Sequence, residues 1–189
     1  EGMTQTAGFW APRASLDPEA HMGPLVSREQ YDRVMGYIEA GKRDGASVVM
    51  GGDSPASEGG YYVNPTILAD VNPQMSVVRE EIFGPVVVAQ RFEDLDEVAK
   101  AANDTCYGLG AGVWTRDVVA MHKLASKIKS GTVWGNCHAV IDTALPFGGY
   151  KESGLGREQG QQGLDVYQET KTVIIQWSGI PAFAGMTKE

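Results

Sequence analysis

Cysteine, histidine, basic residues and long apolar runs are all scarce in this sequence. Two cysteines in 189 residues, Cys106 and Cys137, could form at most one bridge. That is too few for a disulfide scaffold and suits a reducing compartment, so free thiols and a cytoplasmic location are expected. Neither C-x-x-C nor H-x-x-x-H spacing links them with His21, His122 and His138, so no metal set can be assembled. Sixteen Lys and Arg face 24 Asp and Glu, a net charge of −8. Such a surface is ill-suited to phosphate backbones, and nucleic acid and anionic membranes are excluded as expected partners. The longest apolar stretches, Val86 to Ala89 and Val173 to Ile175, are strand-sized, whereas a spanning helix needs about 18 residues. No basic-then-apolar leader opens the chain, so no secretory signal is expected. It opens on Glu1, with Met3 the nearest possible start, and so is expected to be a piece of a longer protein.

What is present describes a chain that folds. A hydrophobic share of 42% against 21% charged is ordinary for a globular protein and argues against wholesale disorder. At this length one domain, or one domain and part of another, is expected. Ser27 followed by Gln30 has the pattern of a capping box, and Tyr31, Val34 and Ile38 then recur at helical spacing until Gly41, predicting a helix over 28–40. Ser47 to Met50 reads as a short strand, Gly52 to Gly60 as a polar loop, and Tyr61 to Val63 and Thr66 to Leu68 as extended segments.

From Val86 the pattern becomes strand, helix, strand, helix, strand. The strands are 86–90, 109–115 and 132–134, and the helical stripes are Leu95, Val98, Ala99, Ala102 and Met121, Leu124, Ala125, Ile128. That order predicts an α/β fold: a partial open parallel sheet with crossover helices. A glycine-punctuated loop over 146–156, a weak helix over 161–167 and a strand from Thr172 to Trp177 follow. The last strand has no crossover partner left, so cover from another chain is expected. Ser178 to Glu189 carries no periodicity and is expected to be disordered.

The glycine clusters 108–112 and 154–160 lack the G-x-G-x-x-G spacing, and 146–151 lacks the Walker spacing, so turns or close backbone packing explain them better than phosphate binding. Cys137 beside His138 suggests a thiol and its base, but neighbours on a strand face opposite ways, which favours a buried structural thiol. Glu80-Glu81-Ile82-Phe83-Gly84-Pro85 is more informative. A carboxylate at a strand mouth can accept two hydrogen bonds from vicinal hydroxyls, as on a ribose, with an aromatic packed beside it. A solvated acidic pair at a helix end is the plainer alternative.

Gly23-Pro24-Leu25-Val26, Gly60 to Thr66, Glu80 to Val86, Asn103 to Leu109, Pro146 to Lys151, Ser153 to Glu158 and Lys171-Thr172-Val173 stand in one order. That series resembles the aldehyde dehydrogenase superfamily from Leu16 to Trp177. The resemblance implies aldehyde oxidation to the acid: a cysteine thiolate attacks the carbonyl, hydride passes to NAD or NADP, and an activated water releases the thioester. It implies that 1–170 is the C-terminal portion of the catalytic domain, 171–177 an oligomerisation strand joining like subunits, and 178–189 a tail. It places the nucleophile, the base and the main nucleotide-binding domain ahead of the chain, so that neither Cys106 nor Cys137 is catalytic and the chain alone is inactive. Glu81 resembles the acceptor for the nicotinamide-ribose hydroxyls, Phe83 its neighbour against the cofactor, and Ile141 and Phe147 substrate-channel positions. The stretch from Asn136 to Phe147 looks most like the phenylacetaldehyde dehydrogenases. A non-catalytic remnant that persists as an oligomerising module is the alternative, and a Cys-His hydrolase a third.

Overall fold

A computed structural model of the chain describes residues 2–55 and 59–176. The expected tail, 178–189, and Trp177 lie outside the described residues. The chain divides between Asp94 and Leu95 into two compact units.

In the first unit, α1 (Gly2–Gly8) is followed by α2 (Arg28–Arg43), β1 (Ser47–Met50), β2 (Thr66–Ala69), α3 (Ser76–Arg79) and β3 (Val86–Val88). The sheet order is β1-β2-β3, with β1 antiparallel and β3 parallel to β2. Val34 and Ile38, one turn apart on α2, are fully buried and share a core with Val63, Leu68, Met75, Val77 and Ile82. This is the stripe that the sequence predicts, and burial of such side chains contributes about 1.5–3 kcal/mol each. The helix does not stop at Gly41. Gly41 is buried where a Cβ would meet Leu68 at 3.1 Å and Val77 at 3.2 Å, so it serves close packing in mid-helix. The chain turns out at Gly45, whose φ is +101°.

The second unit holds α4 (Leu95–Asn103), β4 (Gly110–Val113), α5 (Val118–Lys127), β5 (Thr132–Gly135) and α6 (Gly160–Asp165). β4 and β5 pair in parallel across α5, and Ala99, Val113 and Leu124 form the core beneath them. Asp117 caps α5, its carboxylate accepting from the Val119 and Ala120 amides at 2.8 and 3.2 Å. The α/β class and the parallel pairs agree with the sequence. The run from Val86 does not form one sheet, however: β3 pairs with β2, and β4 with β5. Strand-helix-strand order fixes direction and crossover but not which neighbour a strand bonds, and β2 already offered β3 a partner.

Of the strand expected over 172–177 the described part, up to residue 176, is exposed and carries no strand pairing among the described residues. Val173, Ile174 and Ile175 are 68%, 88% and 74% exposed. A strand exists only with a ladder partner, which the sequence reading assigns to another chain, and none is supplied to these residues among the described ones. Cys137 departs from expectation. β5 ends at Gly135, so Cys137 lies in the loop beyond it and is half-exposed rather than buried.

Candidate functional site

The segment 80–83 is built between α3 and β3. Glu80 ends α3 in extended conformation, φ −110° and ψ 152°. Extended backbone sends consecutive side chains to opposite sides. Ile82 is buried in the core, while Glu81 and Phe83 on either side of it are exposed. Phe83 is 74% exposed and has φ +56°, in the left-handed region. An aromatic held there stores about 1–3 kcal/mol of strain, the sort of backbone that persists where neighbouring contacts over-determine it. Gly84 lets the turn press against α2, since a Cβ there would lie 2.6 Å from Val34.

The restraining contacts come from α2. Gln30 Nε2 donates to the Phe83 carbonyl at 2.7 Å and to the Ile82 carbonyl at 3.3 Å. Arg33 donates to the Glu81 carbonyl at 3.1 Å, and the Tyr37 hydroxyl donates to Glu80 Oε2 at 2.7 Å. The sequence pattern assigns Gln30 to a capping box, and only half of that box is present. Ser27 Oγ accepts from the Gln30 amide at 3.2 Å, but the Gln30 side chain turns outward to the two carbonyls, which have no strand partner. Arg33 and Tyr37 carry no expectation from the sequence at all. The signal that points to them is their spacing: 30, 33 and 37 fall on one face of the helix.

Glu80 and Glu81 therefore have different surroundings. Glu80 is tied to Tyr37, whereas the Glu81 carboxylate accepts no hydrogen bond among the described residues. Donating to the Glu80 carboxylate raises the Tyr37 pKa above the usual phenol value, with partial burial and the Glu80 charge acting the same way and Arg33 opposing them. A raised folded-state pKa means that the stabilisation is complete below the ordinary phenol range and is lost as pH rises through the folded value. We expect Tyr37 to titrate late in an ultraviolet titration, a component abolished by Tyr37→Phe and moved back toward the ordinary range by Glu80→Gln. A curve unchanged by Glu80→Gln would contradict the bond.

Ile141 and Phe147, the expected channel residues, lie in the second unit. Ile141 is 59% exposed in a loop whose Val140 carbonyl accepts from Trp134 Nε1 at 2.8 Å. Phe147 is half-buried and exchanges both backbone hydrogen bonds with Glu158 at 2.8 Å. His138 packs edge-on against Trp134, with ring centroids 5.2 Å apart. A cavity of about 300 Å³ in the first unit is lined by residues of α1 and the 50–53 and 64–65 turns, including Asp53 and Asn64, and does not include Glu81 or Phe83. Among the described residues no group of three or more His, Cys, Asp or Glu is arranged to hold a metal. No helix among them is long and apolar enough to cross a membrane.

The model of the aldehyde dehydrogenase family matches residues 2–173. The chain belongs to that family. The match starts well ahead of Leu16, where the sequence motifs place the beginning of the resemblance, so the opening segment with α1 is family structure too. The chain is 51% identical over 162 residues to a putative aldehyde dehydrogenase, DhaS, of Bacillus subtilis, covering 86% of this chain and 32% of that protein. It is 48% identical over 164 residues to a betaine aldehyde dehydrogenase of Brucella anthropi, covering 85% and 34%. The structure is similar to that of an aldehyde dehydrogenase from Bacillus cereus solved as its NAD+ complex, with TM-score 0.86, 48% identity, and 91% and 35% of the two chains covered. It is similar to an indole-3-acetaldehyde dehydrogenase solved with NAD+, with TM-score 0.86, 43% identity, and 89% and 34% covered. The chain thus spans about a third of the length of the relatives it matches.

Proposed function

We propose that the chain is the C-terminal portion of an enzyme that oxidises aldehydes to carboxylic acids with NAD(P)+, and that its contribution is to hold the cofactor and wall the substrate channel. The observation that carries this is the Glu81 carboxylate, exposed, without a partner among the described residues, and set beside an outward-facing Phe83 on a restrained turn. Both carboxylate oxygens are available to accept from vicinal ribose hydroxyls, and the Phe83 ring offers an apolar face next to them. The residues present therefore fit a dinucleotide. When bound, the nicotinamide supplies the hydride acceptor. The residues of this chain bind and orient: Glu81 would fix the ribose, Phe83 would limit the travel of the ring, and Ile141 and Phe147 would present apolar surface to the aldehyde. A pocket wall of two such residues discriminates by only about 1–3 kcal/mol per methylene-sized change, so a phenylacetaldehyde-like substrate rests on resemblance in 136–147 alone.

No thiol of this chain is assigned the attack on the carbonyl. Cys106 is exposed and Cys137 half-exposed in a loop, and a cytoplasmic enzyme keeps both reduced. Residues 1–170 are read as catalytic-domain structure and 171–177 as the strand through which like subunits assemble, with 178–189 a tail. The exposed apolar run Val173 to Ile175 favours that assembly role, and it equally supports the alternative of a non-catalytic oligomerising module.

Glu81→Gln in the complete enzyme is expected to raise the NAD+ dissociation constant about ten- to a hundredfold, as for loss of a hydrogen-bonding charge worth about 1.5–3 kcal/mol. Calorimetric titration measures it. An unchanged dissociation constant in a folded variant would contradict the cofactor reading.

A further inference from the structure

We propose that Gln30, Arg33 and Tyr37 are positioning residues that clamp 80–83 so that, of two adjacent acids, Glu81 alone presents a free carboxylate. The proposal rests on the reading of Glu81 as the ribose acceptor.

Residues 30, 33 and 37 lie at i, i+3 and i+7 on α2 and meet 83, 81 and 80, so the helix and the segment run in opposite directions, paired like a ruler and its marks. The ruler is stiff because the adjoining stripe of α2 carries the fully buried Val34 and Ile38. Three successive carbonyls, those of Glu81, Ile82 and Phe83, precede the first residue of β3 and have no sheet ladder to enter. Each instead takes a donor from Gln30 or Arg33. The shortest of these bonds, at 2.7 Å, reaches the residue with the left-handed backbone, where restraint matters most.

The two acids are separated by the same device. Tyr37 binds the Glu80 carboxylate on the α2 side. Extended backbone at Glu80 then turns the next side chain away from the helix. Glu81 is left pointing outward with its backbone pinned by Arg33. Without the clamp, Phe83 would relax toward ordinary backbone angles and the carboxylate would sample several directions, lowering its effective affinity for a diol by the fraction of time spent misaimed.

The test separates donor from bulk at position 30. Gln30→Met keeps the volume and loses the donor, while Gln30→Lys keeps a donor at similar reach. In the chain as it stands, hydrogen exchange of the Glu80 and Val86 amides, which donate to the Ser76 and Gly84 carbonyls on either side of the clamped segment, is expected to speed up about tenfold in Gln30→Met, as that segment opens more often, and to stay within about threefold of the parent in Gln30→Lys. In the complete enzyme, NAD+ affinity should fall about tenfold in Gln30→Met and be largely retained in Gln30→Lys. Equal damage from both substitutions would mean that packing, not donation, matters, and would overturn the clamp. Exchange unchanged in Gln30→Met, with affinity lost in Glu81→Gln, would overturn the clamp and leave the cofactor reading standing. Faster exchange in Gln30→Met, with affinity unchanged in Glu81→Gln, would overturn the cofactor reading and with it the purpose assigned here to the clamp.

Discussion

Replacing Gly131 with alanine is expected to destabilise the protein by about 3 kcal/mol or more, enough to leave much of the second unit unfolded at ambient temperature. Gly131 precedes β5, and its amide donates to the Gly108 carbonyl at 2.9 Å. A Cβ at this position would overlap the Gly148 carbonyl oxygen and sit 2.8 Å from its carbon. The obstacle is backbone, so no rotamer change relieves it. The Gly148 loop cannot easily retreat either, because the Tyr150 amide donates to the same Gly108 carbonyl at 2.9 Å and Ser153 Oγ accepts from the Gly108 amide at 2.9 Å. The core beneath, Ala99, Val113 and Leu124, is too small to absorb such a loss. Gly36→Ala is the control: nothing lies within 4 Å of a Cβ there, the site is an exposed helix interior, and a gain of about 0.5–1 kcal/mol is expected. Urea denaturation followed by tryptophan fluorescence reports Gly131→Ala, since Trp134 lies on β5 of the same unit, and circular dichroism, which sees α2 of the first unit, reports Gly36→Ala. A loss below about 1 kcal/mol in Gly131→Ala would contradict the packing described.

Leu68→Ala is expected to cost about 2–5 kcal/mol in the first unit. Leu68 is fully buried on the central strand, opposite Val48 of β1 and Val88 of β3, and it reaches Gly41 on α2. Its removal leaves a cavity bounded by a helix and two strands whose own register is fixed, so collapse is limited. Val48→Ala, at a position 39% exposed, should cost much less. Thermal melts monitored by circular dichroism compare the two, and equal losses would show that the core is centred elsewhere.

The helices and the α/β class are legible in the sequence because burial of one face imposes a period. Val34 with Ile38, and Leu124 with its neighbours, mark their helices by spacing alone. What periodicity does not carry is a choice among partners. It cannot tell that β3 joins β2, or that the exposed run 173–175 forms no ladder among the described residues. Glycine is ambiguous in the same way. Gly41 reads as a stop, but it is a packing site, and the turn comes four residues later at Gly45. At the candidate site, Glu81 and Phe83 are legible as types beside a Gly-Pro turn. The clamp is not, because Gln30, Arg33 and Tyr37 reach carbonyls and a carboxylate about 43–53 residues away in sequence, and local pattern has a nearer explanation for Gln30 in Ser27.

Centrally, the chain is held to supply the clasp for a redox cofactor and not the attacking sulfur. The most direct measurement is the absorbance of reduced nicotinamide when the purified chain is mixed with NAD+ and phenylacetaldehyde. No cofactor reduction above buffer is expected. Steady reduction that disappears in Cys137→Ser would contradict this, because the thiol would then reside in this chain.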